Sequence, residues 1–389
     1  VEFEETGGVI ENKINNDEMD MYHSFDGIVW EQSPKILSMG EYTKVYFKNN
    51  SLKLSNSNNI WQNEINFSKY ASIGGNLGSI TDMYDGCCYG LFSFNTFLRH
   101  AHELIIPWDY VADSCFLNMF YGCTSLATAP MLPATTLASD CYHSMFNGCT
   151  SLTTISTLPA TTLAYGCYRA MFRGCASLTT TPVLPATTLE GYCYHYMFGG
   201  CSSLITAPEL PATILAEKCY DSMFMGCTSL TTAPALPATI LAKDCYYDMF
   251  NGCTSLTTAP ALPATELAEG CYGSMFSWCT SLTTAPVFLA TTLAENCYFY
   301  MFNNCTSLTE IEIYESVTDM SSEGIFYGCT NLKTIIAHPS TAPTIVNDTF
   351  RNIAENGILY VPTGSDYSSW LSTSKYYLGY YGWTVQETT

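Results

Sequence analysis

Hydrophobic and polar positions recur with a period of 26 residues along most of this chain. Each repeat reads Cys-Tyr-x-x-Met-Phe-x-Gly-Cys-Thr-Ser-Leu-Thr-Thr-Ala-Pro-x-Leu-Pro-Ala-Thr-Thr-Leu-Ala. A fixed period of this length predicts a solenoid, because each coil can bury its apolar side chains only against neighbouring coils. The leading cysteines of the regular repeats are Cys115, Cys141, Cys167, Cys193, Cys219, Cys245, Cys271 and Cys297.

The pattern inside each repeat predicts two kinds of element. Leu-Thr-Thr-Ala-Pro alternates like a short strand, and its proline predicts the end of that strand because proline cannot donate a hydrogen bond to the next coil. The segment from the leading cysteine to Met-Phe predicts a short helical or 3₁₀ turn with Cys and Met on one face. The cysteines, Met, Phe and Leu recur in nearly every coil, so we expect them to face the interior.

The extent of the repeats predicts two parts of the chain. Residues 1–82 are non-repetitive, with an acidic lead-in and short β-like runs at 27–30, 44–47 and 52–54, which predict a small, mainly β domain. Residues 83–389 form the predicted solenoid. Within it we predict a degenerate first coil at 87–114, regular 26-residue coils at 115–304, and C-terminal coils with an aromatic-rich cap at 305–389.

The chain has 19 cysteines, of which sixteen form two ladders. Equivalent residues on neighbouring coils are roughly 4.8 Å apart with parallel side chains. A disulfide needs Cβ atoms about 3.8 Å apart that converge. We therefore expect the ladder cysteines to be reduced and to fill a tight interior as small buried side chains.

The charge of the chain restricts its partners. Thirty-five acidic and 14 basic residues give a net charge of −21, which repels phosphate backbones, so we expect no nucleic-acid partner. No stretch approaches ~18 uninterrupted apolar residues, so we expect no membrane span. The sequence begins at Val1 rather than Met, from which we expect a trimmed form whose export signal would have been lost.

Catalytic and metal-binding motifs do not emerge from the repeats. The sequence contains no Gly-x-Ser-x-Gly elbow, no phosphate-binding loop of the Walker A type and no His-Glu-x-x-His helix. His100 and His102 could share one face of a strand and hold a metal, but no cysteine or acidic triad accompanies them, so we favour a packing or surface role. We therefore expect no catalytic residues, no metal site and no cofactor.

Positions that vary between coils are expected to lie outside the core and to carry any specificity. They include residues two, three, six and seven places after the leading cysteine. Aromatic side chains are frequent anchors of protein interfaces, and they also stack on sugar rings. The candidate binding residues at these positions are His195, Tyr196, Tyr247, Trp278, Phe299 and Tyr300.

The repeated phrase Phe-x-Gly-Cys-Thr-Ser-Leu resembles the BspA-like class of leucine-rich repeats, found on the surfaces of anaerobic gut and oral bacteria. The segment from Leu359 to Ser365 is similar to the C-terminal closure of that class. The resemblance covers roughly 87–389, although the coils here are a few residues longer around Pro-Ala-Thr-Thr-Leu-Ala. It implies a right-handed superhelical solenoid, and the small β domain at 1–82 is similar to domains that precede such arrays.

The resemblance also implies a function. It indicates a non-catalytic, exported protein at the cell surface, with a lipid anchor through a removed N-terminal segment as one mode of attachment. We expect a monomer that presents its repeat surface to proteins or glycans of host or neighbouring cells, in an adhesion or interaction role. The alternative is a surface protein that captures carbohydrate, which a strip of exposed aromatic side chains would favour.

Overall fold

The computed structural model of the protein describes residues 2–3, 9–12, 21–26, 31–32, 36–38, 46–49, 65–67, 71–77, 84–290, 293–346 and 348–388. The chain divides into two compact units, Val1–Pro185 and Ala186–Thr389, here called the N-terminal and C-terminal units. Within the described residues, no helix is long and apolar enough to cross a membrane.

Short strands form three small sheets at the start of the N-terminal unit. The strands are β1 (Glu2–Phe3), β2 (Val9–Asn12), β3 (Met21–Ser24), β4 (Glu31–Gln32), β5 (Ile36–Ser38), β6 (Tyr46–Asn49), β7 (Ile65–Phe67), β8 (Ala71–Asn76) and β9 (Leu98–Ile105). Two antiparallel sheets have the orders β5-β2-β7 and β4-β3-β6. The third, β1-β8-β9, joins β9 of the first coil in parallel to β8.

Part of the predicted β domain lies outside the described residues. This applies to the β-like runs at 27–30 and 52–54, and to the predicted domain boundary between residues 82 and 83. The run at 44–47 is described from Tyr46 onward, where β6 begins. The division at residues 1–82 and 83–389 stays a prediction.

Parallel stacks of identical side chains form the core of each unit. In the C-terminal unit the phenylalanine stack has ring centroids 5.6 to 6.0 Å apart and nearly parallel rings. Its members are Phe198, Phe224, Phe250, Phe276, Phe302, Phe326 and Phe350. A tyrosine stack comprises Tyr194, Tyr220, Tyr246, Tyr272 and Tyr298. The predicted inward columns of Cys, Met, Phe and Leu are confirmed as buried, and the tyrosine column joins them.

The turn segment between the two cysteines of a coil is not a regular helix. In the coil that begins at Cys219, Met223 donates its N–H to the carbonyl of Tyr220, three residues back. Ser222 and Phe224 instead donate theirs to Tyr247 and Met249 of the next coil. Ser222 has a positive φ of 56°, a region that interrupts a right-handed helix. The segment is therefore a series of overlapping turns that also binds the next coil.

Strand pairing between regular coils is brief, and proline explains why. Thr258 pairs with Thr284 by a single parallel bridge, and Pro286 follows two residues later. The next coil has Glu312 in place of that proline, and there β10 (Glu310–Ile313) pairs over four residues. The parallel sheet continues through β12 (Thr334–Ala337), β14 (Ile358–Pro362) and β15 (Thr384–Thr388), beside a β11 (Asp319–Met320) and β13 (Thr344–Ile345) pair.

The cysteine ladders are buried, as the sequence predicts. No disulfide joins any of the 19 cysteines, all of which belong to the described part of the chain. Thiols of the second ladder donate hydrogen bonds to phenylalanine carbonyls of the previous coil, such as Cys253 to Phe224 at 3.1 Å and Cys279 to Phe250 at 3.1 Å. These cysteines therefore fill the interior and also satisfy buried backbone acceptors.

Aromatic side chains close the C-terminal end of the phenylalanine stack. The indole of Trp370 lies edge-on to Phe350, with ring centroids 5.3 Å apart, and its Nε1 donates to the carbonyl of Pro343 at 2.8 Å. Tyr367 packs edge-on to Trp370. A 3₁₀ helix (Leu378–Tyr381) follows, and Trp383 donates to the carbonyl of Ala354.

Candidate functional site

The variable positions of the turn segments form the candidate surface, here called the turn face, although Asp221, Ser222 and Ser277 of this set are buried. It consists of the residues two, three, six and seven places after each leading cysteine. In the C-terminal unit, the column two places after the cysteine holds His195, Asp221, Tyr247, Gly273 and Phe299. The buried columns keep one residue type from coil to coil, whereas this column changes in charge, size and shape.

The column three places after the cysteine has a fixed backbone conformation despite its varied side chains. Tyr196, Ser222, Asp248 and Tyr300 all have positive φ, between 50° and 57°. Asn and Asp tolerate this region better than other residues that carry a Cβ. The Asn and Asp of this column therefore reflect the backbone, whereas Ser144, Ser222 and Ser274 are buried small side chains.

The rings of the three candidate tyrosines pack against glycines. A Cβ added at Gly199 would lie 2.8 Å from the ring of Tyr196, and one added at Gly273 would lie 2.6 Å from the ring of Tyr247. The ring of Tyr300 covers Gly324 of the next coil in the same way. These rings are half-buried, which differs from the sequence expectation that variable positions are free of the core.

Ring contacts bring four of the candidate residues together as two pairs. His195 lies edge-on to Tyr196, with centroids 4.8 Å apart, and Phe299 lies edge-on to Tyr300 at 4.7 Å. Tyr196 donates its hydroxyl to the sulfur of Met225, and Tyr300 donates to Glu323 at 3.2 Å. Trp278 differs from all of these because 53% of it is exposed.

The packing of the tyrosines changes the expected effect of removing them. Replacing Tyr247, Phe299 and Tyr300 together by serine should lower the free energy of unfolding by roughly 3 kcal/mol, since each half-buried ring loses part of its apolar burial. Denaturant unfolding measures the change. The control is Ile240→Ser, because Ile240 is exposed and lies outside the turn face. A triple variant as stable as the control would contradict the packing role.

A charged cluster, which the candidate residues from the sequence did not include, lies beside the first aromatic pair. The carboxylate of Asp221 is 3.6 Å from Nε2 of His195 and 3.7 Å from the ammonium of Lys218. Lys218 also lies 3.5 Å from Asp244. Asp221 shares a column with His195 and Tyr247. Its place in a variable column is therefore the sequence feature that could have identified it as a candidate.

Burial dominates the electrostatics of Asp221. Its side chain is 7% exposed, and desolvation raises its pKa to about 6, while the hydroxyl of Ser222, which donates at 2.6 Å, and the charge of Lys218 act in the opposite direction. The nearby Asp248 and Asp244 raise the pKa further. The same desolvation raises the pKa of Asp248 itself.

Asp221→Asn should change how stability depends on pH. The pKa of Asp221 is higher in the folded state than its ordinary value of 3.8, so the unfolded state binds fewer protons between about pH 4 and 6. The contribution of Asp221 to the free energy of unfolding therefore falls as the pH rises through that window, and it is constant at higher pH. The stability of D221N relative to the parent should rise by on the order of 2 kcal/mol from pH 4 to 7. Parallel profiles in urea unfolding would contradict this.

The paired histidines of the first coil lie on the same side of β9. Nδ1 of His100 and Nδ1 of His102 are 3.2 and 3.1 Å from the hydroxyl of Thr128. Within the described residues, no three His, Cys, Asp or Glu side chains gather into a metal-binding group. The contacts with Thr128 agree with a packing or surface role for the two histidines.

The repeats of this chain match those of a known family. The family described as "BspA type Leucine rich repeat region (6 copies)" matches residues 116–231, 168–298 and 217–357. No curated protein matches the chain.

Two solved structures are similar to the chain. A leucine-rich repeat protein from Bacteroides ovatus is 15% identical, over 75% of this chain and 83% of its own, with a TM-score of 0.33. A leucine rich cell surface protein from Faecalibacterium prausnitzii is 16% identical, over 79% of this chain and 92% of its own, with a TM-score of 0.32. The family match spans more than half of the sequence, from the first regular coil into the C-terminal coils, and on that ground the chain belongs to the BspA-type leucine-rich repeat family.

Proposed function

We propose that this chain is a non-catalytic binding protein of the cell surface that contacts a macromolecular partner through the turn face. One observation carries the proposal. The Cys, Met, Phe and Leu columns that stay constant between coils are buried, whereas the turn face holds a different set of side chains on every coil. A surface of this kind is extended, so it suits a protein or glycan that crosses several coils better than a small substrate.

The chemistry of the turn face supports contact with such a partner. The six candidate residues, His195, Tyr196, Tyr247, Trp278, Phe299 and Tyr300, are aromatic or imidazole side chains, and aromatic residues are enriched at interface hot spots. The rings that rest on glycines have little freedom left to lose on binding, which lowers the entropic cost of association. The net charge of −21 disfavours nucleic acid. Export and display on the cell surface agree with the family, and the monomeric state remains part of the proposal.

The test is a binding screen followed by a comparison of two faces. The full chain is screened against host matrix proteins and immobilised glycans by biolayer interferometry. Replacing Phe299 and Trp278 by alanine should weaken binding to the partner found by about tenfold or more. The matched control is Ile214→Thr with Ile240→Thr, which are exposed positions outside the turn face and receive the residue that other coils carry there.

The two faces make the outcome decisive. Loss of binding in the Ile214 and Ile240 variant, with binding by the Phe299 and Trp278 variant unaffected, would assign the partner to the surface that carries the two isoleucines. A parent chain that binds neither matrix proteins nor glycans would contradict the proposed function.

A further inference from the structure

Trp278 occupies a position that the repeat reserves for glycine. It stands seven places after the leading cysteine, and its φ is +60°. Other members of this column in the C-terminal unit also have positive φ: Gly200, Gly226, Gly252, Asn304 and Gly328. Glycine and asparagine are the residues that adopt this conformation readily, whereas a large side chain is disfavoured by contact between its Cβ and the backbone. Trp278 therefore adopts a backbone conformation that is unfavourable for a residue with a large side chain.

Phe94 of the N-terminal unit provides the comparison, because it occupies the same column with a φ of +57°. Its ring packs on Gly122, where an added Cβ would lie 2.9 Å from the ring, and it meets Tyr121 edge-on at 5.1 Å. Phe94 therefore has a packing role within its own unit. Trp278 is about as exposed as Phe94, at 53% against 46%, but it has no ring partner in the part of the chain that the structure describes.

Neutral side chains occupy two columns close to that of Trp278 in the repeat. The column before Trp278 contributes Asn251 and Asn303, and the column two places after it contributes Thr280. Neither column contains a charged residue between the coils of Cys219 and Cys297. One N–H of Asn251 is donated to Asp248 and one of Asn303 to Ser277, which leaves each amide with a second N–H. The hydroxyl of Thr280 makes no hydrogen bond within the described residues, although the equivalent hydroxyls of Thr254 and Thr306 donate to carbonyls of their preceding coils.

This environment fits one class of ligand. The axial C–H groups of a pyranose carry partial positive charge and pack on the electron-rich face of an indole. The ring hydroxyls then exchange hydrogen bonds with amides and hydroxyls beside it. A protein hot spot would instead have an apolar surround, and an acidic ligand would need a cation that these columns lack.

We propose that Trp278 is the platform of a saccharide-binding site, in which a neutral pyranose stacks on the indole and hydrogen-bonds to Asn251, Asn303 and Thr280. The inference rests on the proposed binding function and names the ligand class of one part of the turn face. A glycan that crosses several coils would make its most specific contact at this point.

The test uses the full chain and an array of neutral, sialylated and sulfated oligosaccharides, with affinities of bound members measured by calorimetry. The parent should bind neutral members, and Trp278→Gly should weaken that binding by about tenfold or more. Because glycine is the residue of this column in the neighbouring coils, the variant should melt within a few degrees of the parent. Trp278→Asn, which follows the example of Asn304 in the next coil, serves if the glycine variant is poorly folded, and Trp278→Phe should retain part of the affinity.

Phe94→Gly is the matched control, since it removes an aromatic ring from the same column in the other unit, and it should leave saccharide binding unchanged. Undiminished binding by W278G and W278N would overturn the site. A parent that binds acidic members alone would overturn the ligand class. A parent that binds a matrix protein but no saccharide would overturn this inference and leave the proposed function standing, whereas binding of neither would contradict both.

Discussion

Phe250→Ala should lower the free energy of unfolding by about 3–5 kcal/mol. Phe250 is fully buried and stacks between Phe224 and Phe276, with ring centroids 5.7 Å away on both sides. Each coil of a solenoid is stabilised by its neighbours alone, so a cavity here weakens two interfaces between coils at once. Urea unfolding followed by circular dichroism measures the loss.

Tyr220→Phe is the matched control for that experiment. The hydroxyl of Tyr220 is buried and has no hydrogen-bond partner among the described residues, and Phe116 occupies the same column in the first regular coil. The substitution keeps the ring and removes an unsatisfied polar atom, so stability should stay equal or rise by roughly 1 kcal/mol. A loss below about 1 kcal/mol in F250A would show that the stack is not the main source of stability.

The cysteines of the native protein should react with a thiol reagent far more slowly than those of the denatured protein. All 19 are buried, and burial raises the pKa of Cys219, Cys279 and Cys329 to about 12. Since the thiolate is the reactive form, its fraction at pH 8 is lower than for an ordinary thiol by roughly a thousandfold. Cys87 is the exception, because hydrogen bonds with Cys115 and Cys88 lower its pKa. Mass spectrometry after alkylation, without reductant, counts the labelled residues in native and denatured samples.

One added cysteine serves as the control for the thiol experiment. Thr257→Cys adds a thiol at an exposed position of the same repeat and should be labelled in the native state. A denatured, unreduced sample with almost no reactive thiol would show that disulfides form, and would contradict the geometric argument from the spacing of the coils.

Much of the fold follows from the period of 26 residues. Equivalent positions on neighbouring coils share one environment, so an apolar residue type that recurs in every coil identifies a buried column before any coordinates are known. Met249 and Phe250 are buried for that reason. The same logic placed Cys253 in the interior and predicted the end of the short strand at Pro260.

The conformation of the turn segments could not be predicted in this way. A cysteine and a methionine four residues apart indicate one face of a helix, yet residues such as Ser222 adopt a positive φ and donate their N–H to the next coil. Those hydrogen bonds join residues 25 positions apart, and a pattern within one repeat carries no information about them. The packing between coils selects turns over a helix.

The repeat, the inward apolar columns and the family can be predicted from residue identities, because periodic burial selects the same apolar residue in each coil. Which variable side chains are available to a partner depends on contacts between coils. Tyr247 is half-buried because the coil that follows presents Gly273 beneath its ring. Phe94 and Trp278 share one column and one backbone conformation and are similarly exposed, yet the ring of Phe94 packs on Gly122 and Tyr121 while Trp278 has no ring partner among the described residues. The exposure of a residue on this surface depends on the size of side chains in adjacent coils, and contacts between coils exist only once the chain has folded.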